Sequence, residues 1–87
     1  MYEVRYSKNV IKFLQKQDKK VVKSIIDFFD TIKNDPFDFK SYDVKSMKGF
    51  DNFYRLRIQK YRVIFEIRDN ELIIKVIKAG SRGDVYK

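Results

Sequence analysis

The sequence contains neither cysteine nor histidine. Without thiols there is no disulfide framework and no thiolate metal site, and without imidazole an ordinary zinc site is excluded too. Any catalysis therefore proceeds without imidazole or thiol. No stretch approaches membrane-spanning length, and the first eight residues, charged at Glu3, Arg5 and Lys8, contain no apolar targeting core. The expected address is the cytosol. Internal repeats, low-complexity tracts and interdomain linkers are also absent, so residues 1–87 are expected to form one domain.

What is abundant is apolar and basic. Hydrophobic residues make up 44% of the 87 positions and aromatics 16%, enough for one modest core despite a charged content of 37%. Lys and Arg number 20 against 12 Asp and Glu, a formal charge of +8. Such an excess favours a polyanionic partner without saying which one.

The chain divides into a helical first part and a β-rich second part. Tyr2, Val4 and Tyr6 alternate with Glu3 and Arg5, as in a short strand. Ser7 is placed to cap a helix from Lys8 to Gln17, with Val10, Phe13 and Leu14 on one stripe. Asp18 is placed to cap a second, from Lys19 to about Lys33, where Val22, Ile25, Ile26, Phe29 and Ile32 keep the helical period. These two helices are expected to form an antiparallel hairpin. Asn34, Asp35 and Pro36 end the second helix, and Phe37 to Lys48 reads as an irregular loop pinned to the core by Phe37, Phe39 and Tyr42. Strands are expected at Phe53 to Ile58, Tyr61 to Arg68 and Glu71 to Ala79, joined by the two-residue connections Gln59-Lys60 and Asp69-Asn70. The fold class is α+β: an N-terminal strand, a helical hairpin, then a three-stranded antiparallel meander that completes one sheet.

Alternation along the strands separates two faces. Tyr54, Leu56, Ile58, Tyr61, Val63, Phe65 and Ile67 share the apolar one. With two-residue turns, Phe65 opposes Ile74, and Leu72, Ile74 and Val76 join that face, which must carry the helices. Arg55, Arg57 and Arg62 share the other face, with Arg57 directly across from Arg62. Like charges so opposed destabilise a sheet. Either Glu66 and Lys75 soften a merely solvated face, or three guanidiniums converge to grip a phosphate. Gly80 closes the last strand and Ser81, Arg82 and Gly83 turn the chain, so that Arg82 and Tyr86 can reach back to the same end. The spacing of Gly80 and Gly83 is too weak to be a phosphate loop.

Lys48-Gly49, Tyr54-Arg55-Leu56-Arg57-Ile58, the segment from Tyr61 to Ile67, and the segment from Gly80 to Tyr86 together resemble the RelE/ParE superfamily of toxins, and its RelE branch in particular. The resemblance covers almost the whole chain. It implies a toxin that enters the ribosomal decoding site and cleaves the bound message, the RNA's own 2'-hydroxyl attacking the adjacent phosphate. By motif position the active-site residues fall on Arg55, Arg57, Arg62, Arg82 and Tyr86, with Lys45, Lys48 and Lys60 as rim contacts to RNA phosphates. It further implies no metal, no cofactor, and a small acidic antitoxin as the partner that restrains the toxin. A groove beside the helical hairpin, lined by Phe13, Phe28 and Ile32, is one place for that antitoxin to dock.

One departure concerns the base. RelE-type sites often carry lysines where this chain has Arg55 and Arg57, and an arginine does not give up its proton. That leaves Glu66, a deprotonated Tyr86, Lys48, or a base supplied by the ribosome or water. Two other functions share these features: a ParE-like, non-enzymatic inhibitor of DNA gyrase, and a nucleic-acid-binding module without catalysis.

Overall fold

The computed structural model describes residues 1–81. Its elements run β1 (Glu3–Tyr6), α1 (Lys8–Lys16), α2 (Lys19–Ile32), β2 (Asp43–Ser46), β3 (Phe53–Ile58), β4 (Tyr61–Arg68) and β5 (Ile73–Ser81). The strands form one five-stranded sheet in the order β1-β5-β4-β3-β2. β1 pairs with β5 in parallel and the remaining pairs are antiparallel, so the sheet is mixed.

Both helices start where a side-chain oxygen can accept from an otherwise unpaired backbone donor. The Ser7 hydroxyl accepts from the Val10 N–H at 3.2 Å and donates to the Ile77 carbonyl at 2.9 Å, so the cap also ties α1 to β5. The Asp18 carboxylate accepts from the Val21 N–H at 3.0 Å and starts α2. The helices lie on one face of the sheet, α1 against β5 and α2 against β3.

Between helices and sheet sits an aromatic core. The Phe28 and Phe29 rings lie 4.9 Å apart, and both meet Phe65 of β4 edge-on, at 5.5 and 5.2 Å. Tyr54 stacks on the same Phe65 at 5.6 Å. Phe39 and Tyr42 reach Phe28 at 6.2 and 4.8 Å and pin the connecting segment as expected. Phe37 stays 53% exposed at the edge of this cluster. On α2 the buried positions are Val21, Ile25, Phe28, Phe29 and Ile32, whereas the expected Val22 and Ile26 turn towards α1 and line a groove between the helices.

Three expectations need correction. The segment read as a loop contains strand β2, which pairs antiparallel with β3 and forms the sheet edge beyond it. The β4–β5 connection is not the two-residue turn Asp69-Asn70: Arg68 pairs with Ile73, so four residues intervene, and β5 begins at Ile73 rather than Glu71. Leu72 therefore lies in the turn, at φ +55° and 51% exposed, and not on the apolar face. Phe65 opposes Val76, while Ile74 opposes Ile67. Because the slip is two positions, an even number, Ile74 and Val76 keep the face expected of them.

Candidate functional site

The basic face is assembled from four strands. β3 and β4 place Arg57 opposite Arg62 and Arg55 opposite Ile64. β2 then sets Asp43 opposite Arg57 and Lys45 opposite Arg55. From the other side, β5 sets Gly80 opposite Arg62 and Lys78 opposite Ile64. Lys78 reaches this face through a bulge in β5, where the register shifts by one residue between Ile64 and Phe65. Two adjoining rows thus carry Lys45, Arg55, Arg57, Arg62 and Lys78, with Asp43 as the one acid in them among the described residues.

Asp43 is the residue that sequence reasoning missed. Its carboxylate accepts from Arg55 Nη2 at 2.8 Å, and the Arg55 side chain is only 14% exposed. The bond orients one guanidinium and offsets part of the repulsion among three. The Arg55 Nε–H is buried without a hydrogen-bond partner among the described residues. Ile64, in the same row, is 6% exposed, so this face is more than solvated charge. The alternation of Asp43 and Lys45 about Val44 was the available signal for the missed strand.

Charge changes character along the face. Towards its other end, Arg5 pairs with Glu3 at 3.1 Å and Arg68 pairs with Glu66 at 3.2 Å and Glu71 at 3.0 Å. The hydrogen bond from Arg5 holds the Glu3 carboxyl below its usual range. Glu66 is thus engaged by Arg68 and not by the expected Lys75, which the shifted register sets across from it. The arginines that oppose one another across the sheet, Arg57 and Arg62, lie at the opposite end.

The three rim lysines separate. Lys45 and Lys48 line one cavity with Arg55, about 260 Å³ in volume. Lys60 sits in the β3–β4 turn beside Arg57 and Arg62, its Nζ 5.4 Å from the Tyr61 ring centre. Lys48 and Lys60 therefore flank opposite ends of β3, about 17 Å apart along a strand of that length. Arg82 and Tyr86 lie outside the described residues, six positions or fewer beyond the last one, Ser81.

The expected groove by the helices also changes. Phe28 and Ile32 are fully buried in the core, and Phe13 packs edge-on against Tyr61 at 5.5 Å. The groove that exists, about 500 Å³, runs between α1 and α2 and is lined by Leu14, Gln17, Lys19, Val22 and Ile26 among others. No helix among the described residues is long and apolar enough to cross a membrane.

Comparison with known proteins bears on the family and the fold. Residues 4–86 match the family model described as ParE toxin of type II toxin-antitoxin system, parDE. A protein of Methanocaldococcus jannaschii named "Putative toxin RelE1" is 31% identical over 86 residues, covering 99% of this chain and 96% of that one. Among solved structures, a chain of the archaeal RelE-RelB complex from Pyrococcus horikoshii OT3 superposes with a TM-score of 0.83 at 31% identity, covering 94% of this chain and 96% of that chain. The isolated E. coli RelE toxin, at 18% identity, shares the fold with a TM-score of 0.76 over 99% of this chain and 92% of its own. The chain belongs to the RelE/ParE family of toxins from type II toxin-antitoxin pairs, as a toxin of the RelE type.

Proposed function

We propose that this toxin is a metal-independent endoribonuclease that cleaves messenger RNA in the decoding site of the ribosome. The observation that carries the reading is the pairing of Arg57 with Arg62, flanked by Arg55, Lys45 and Lys78, with Asp43 as the one acid in those rows among the described residues. Folding alone disfavours that concentration of like charge. A phosphodiester changes the balance, because charge accumulates on its oxygens as the 2'-hydroxyl attacks phosphorus and the bond to the 5'-oxygen breaks. Fixed guanidiniums stabilise that charge and leave a 2',3'-cyclic phosphate and a 5'-hydroxyl as products.

In this mechanism Arg57 and Arg62 stand at the phosphate, Arg82 joins them from beyond β5, and Tyr86 orients a base by stacking. Arg55, held by Asp43, is a fixed positive charge rather than a proton acceptor. The proton of the 2'-hydroxyl therefore passes to a group of the ribosome or to water, and the departing 5'-oxygen takes a proton from the same sources. Dependence on the ribosome follows, since an incomplete acid-base set needs its substrate geometry imposed from outside.

A small acidic antitoxin of the RelB type is the proposed partner. RelE-RelB complexes among the structural neighbours support it, as does the +8 charge of this chain. Its apolar anchors fit the groove between α1 and α2, where Leu14, Val22 and Ile26 are accessible.

The name of the matching family model favours a second reading, a ParE-like inhibitor of DNA gyrase. Mapping message ends by primer extension after brief expression, with and without active translation, separates the two. Ribonuclease action predicts new ends inside translated frames that disappear when translation is blocked. Intact messages together with loss of gyrase supercoiling in the cell would replace it by the second reading.

A further inference from the structure

The loop between β2 and β3 carries aromatic surface that the cleavage chemistry leaves unused. Phe50 is 59% exposed, and its ring lies 5.9 Å from that of half-buried Phe53. Leaving a ring of that size in water forgoes the stabilisation that burying it would bring. The loop holding it is nonetheless ordered by backbone bonds: the Met47 N–H donates to the Phe53 carbonyl at 2.9 Å, and the Phe50 N–H to the Met47 carbonyl at 3.3 Å. Gly49 at φ +81° and Asn52 at φ +67° make the sharp turns this requires.

Phe53 shares its face with Arg55 and Arg57 by strand alternation. Next to this aromatic pair lies the cavity of about 260 Å³ lined by Lys45, Ser46, Met47, Lys48 and Arg55. Arg55, which lines it, has a buried Nε–H with no partner among the described residues. Such a donor destabilises the fold until something accepts from it. Two lysines, an unsatisfied guanidinium N–H and an exposed aromatic ring match a ligand that has both a phosphate and a flat π-face.

We propose that this end of the sheet is a second nucleotide subsite, separate from the Arg57–Arg62 end. It holds an unpaired RNA nucleotide neighbouring the cleaved bond. The base stacks on Phe50 and Phe53, and the phosphate is taken by Lys45, Lys48 and the Arg55 Nε–H. The identity of the ligand as RNA rests on the ribonuclease reading. An acidic polypeptide would satisfy the cations and leave the flat ring without its counterpart.

The test uses the full chain and a short, labelled, 2'-O-methylated single-stranded RNA, which binds without being cut, with affinity read by fluorescence anisotropy. Phe50→Ala weakens binding by about fivefold to a hundredfold, the effect of losing one base stack, and Phe50→Trp restores it. Lys48→Ala lowers the slope of log affinity against log salt by about 0.7, the share of one phosphate contact on a single strand. On programmed ribosomes Phe50→Ala raises KM and leaves kcat unchanged. Wild-type affinity in Phe50→Ala overturns the subsite, as does a Phe50 effect confined to a polyglutamate peptide. Phe50-dependent RNA binding by a chain that cuts no message upholds the subsite and overturns the ribonuclease reading. Normal cutting with indifference to Phe50 does the reverse.

Discussion

Arg55 serves two requirements that oppose one another. As a member of the basic face it adds to the repulsion around Arg57 and Arg62. As the partner of Asp43 at 2.8 Å it relieves part of it and is fixed in place. A lysine at this position keeps the charge and loses the planar fork, and crowding by other cations lets its ammonium shed a proton. Arg55→Lys is therefore expected to retain cleavage and to acquire a rise in rate with pH that the wild type lacks. Rate profiles on programmed ribosomes read this directly. Activity as low as that of Arg55→Ala would mean that guanidinium geometry, and not charge alone, is required. The arginines themselves were legible in the sequence, since strand alternation and a two-residue turn suffice to oppose Arg57 and Arg62. Asp43 was not, because its relation to Arg55 depends on a strand that had not been recognised.

At the scale of elements, both caps, both helices and strands β3 and β4 follow from side-chain periodicity and local capping chemistry. β2 escaped because four residues with one apolar side chain, between Tyr42 and Met47, carry little strand signal of their own; pairing with β3 makes them a strand. The β4–β5 turn escaped for a different reason. Asp69-Asn70 has the composition of a tight hairpin, yet the chain continues to Leu72 and accepts a left-handed backbone there. For a leucine that conformation costs about 1–2 kcal/mol, and its exposed side chain recovers little by packing. Leu72→Gly is expected to stabilise the fold by about 0.5–1 kcal/mol after the added chain entropy of glycine is deducted, read as a higher urea midpoint. A lower midpoint would show that Leu72 contributes packing that outweighs its strain.

For the whole molecule, one aromatic core supports a strongly basic sheet face, and stability must exceed the repulsion that face introduces. Tyr6 joins β1 to that core, its ring edge-on to Phe29 at 5.9 Å. Burial, with a smaller effect from the nearby Asp30 carboxylate, pushes its hydroxyl from 10.0 up to about 12. The neutral phenol is favoured in the folded chain, so its contribution is complete below pH 10.0 and is lost as pH rises towards about 12. Urea midpoints should fall across that interval, and Tyr6→Phe should reduce the fall. An identical fall in the variant would place the alkaline loss elsewhere, with Tyr2 and Tyr54, whose hydroxyls are also raised, as the remaining groups to replace.

The central claim is that guanidiniums on the sheet face stabilise the transition state of RNA cleavage. Single-turnover cleavage of a message on programmed ribosomes, by wild type, Arg57→Ala and Arg62→Ala, tests it most directly. Both positions lie on the face of the sheet opposite the aromatic core, so both variants should keep the wild-type circular dichroism. Each is predicted to cleave at least about a hundredfold more slowly, the loss expected when one preorganised donor to the developing charge is removed. Near-normal cleavage by either folded variant would contradict the account.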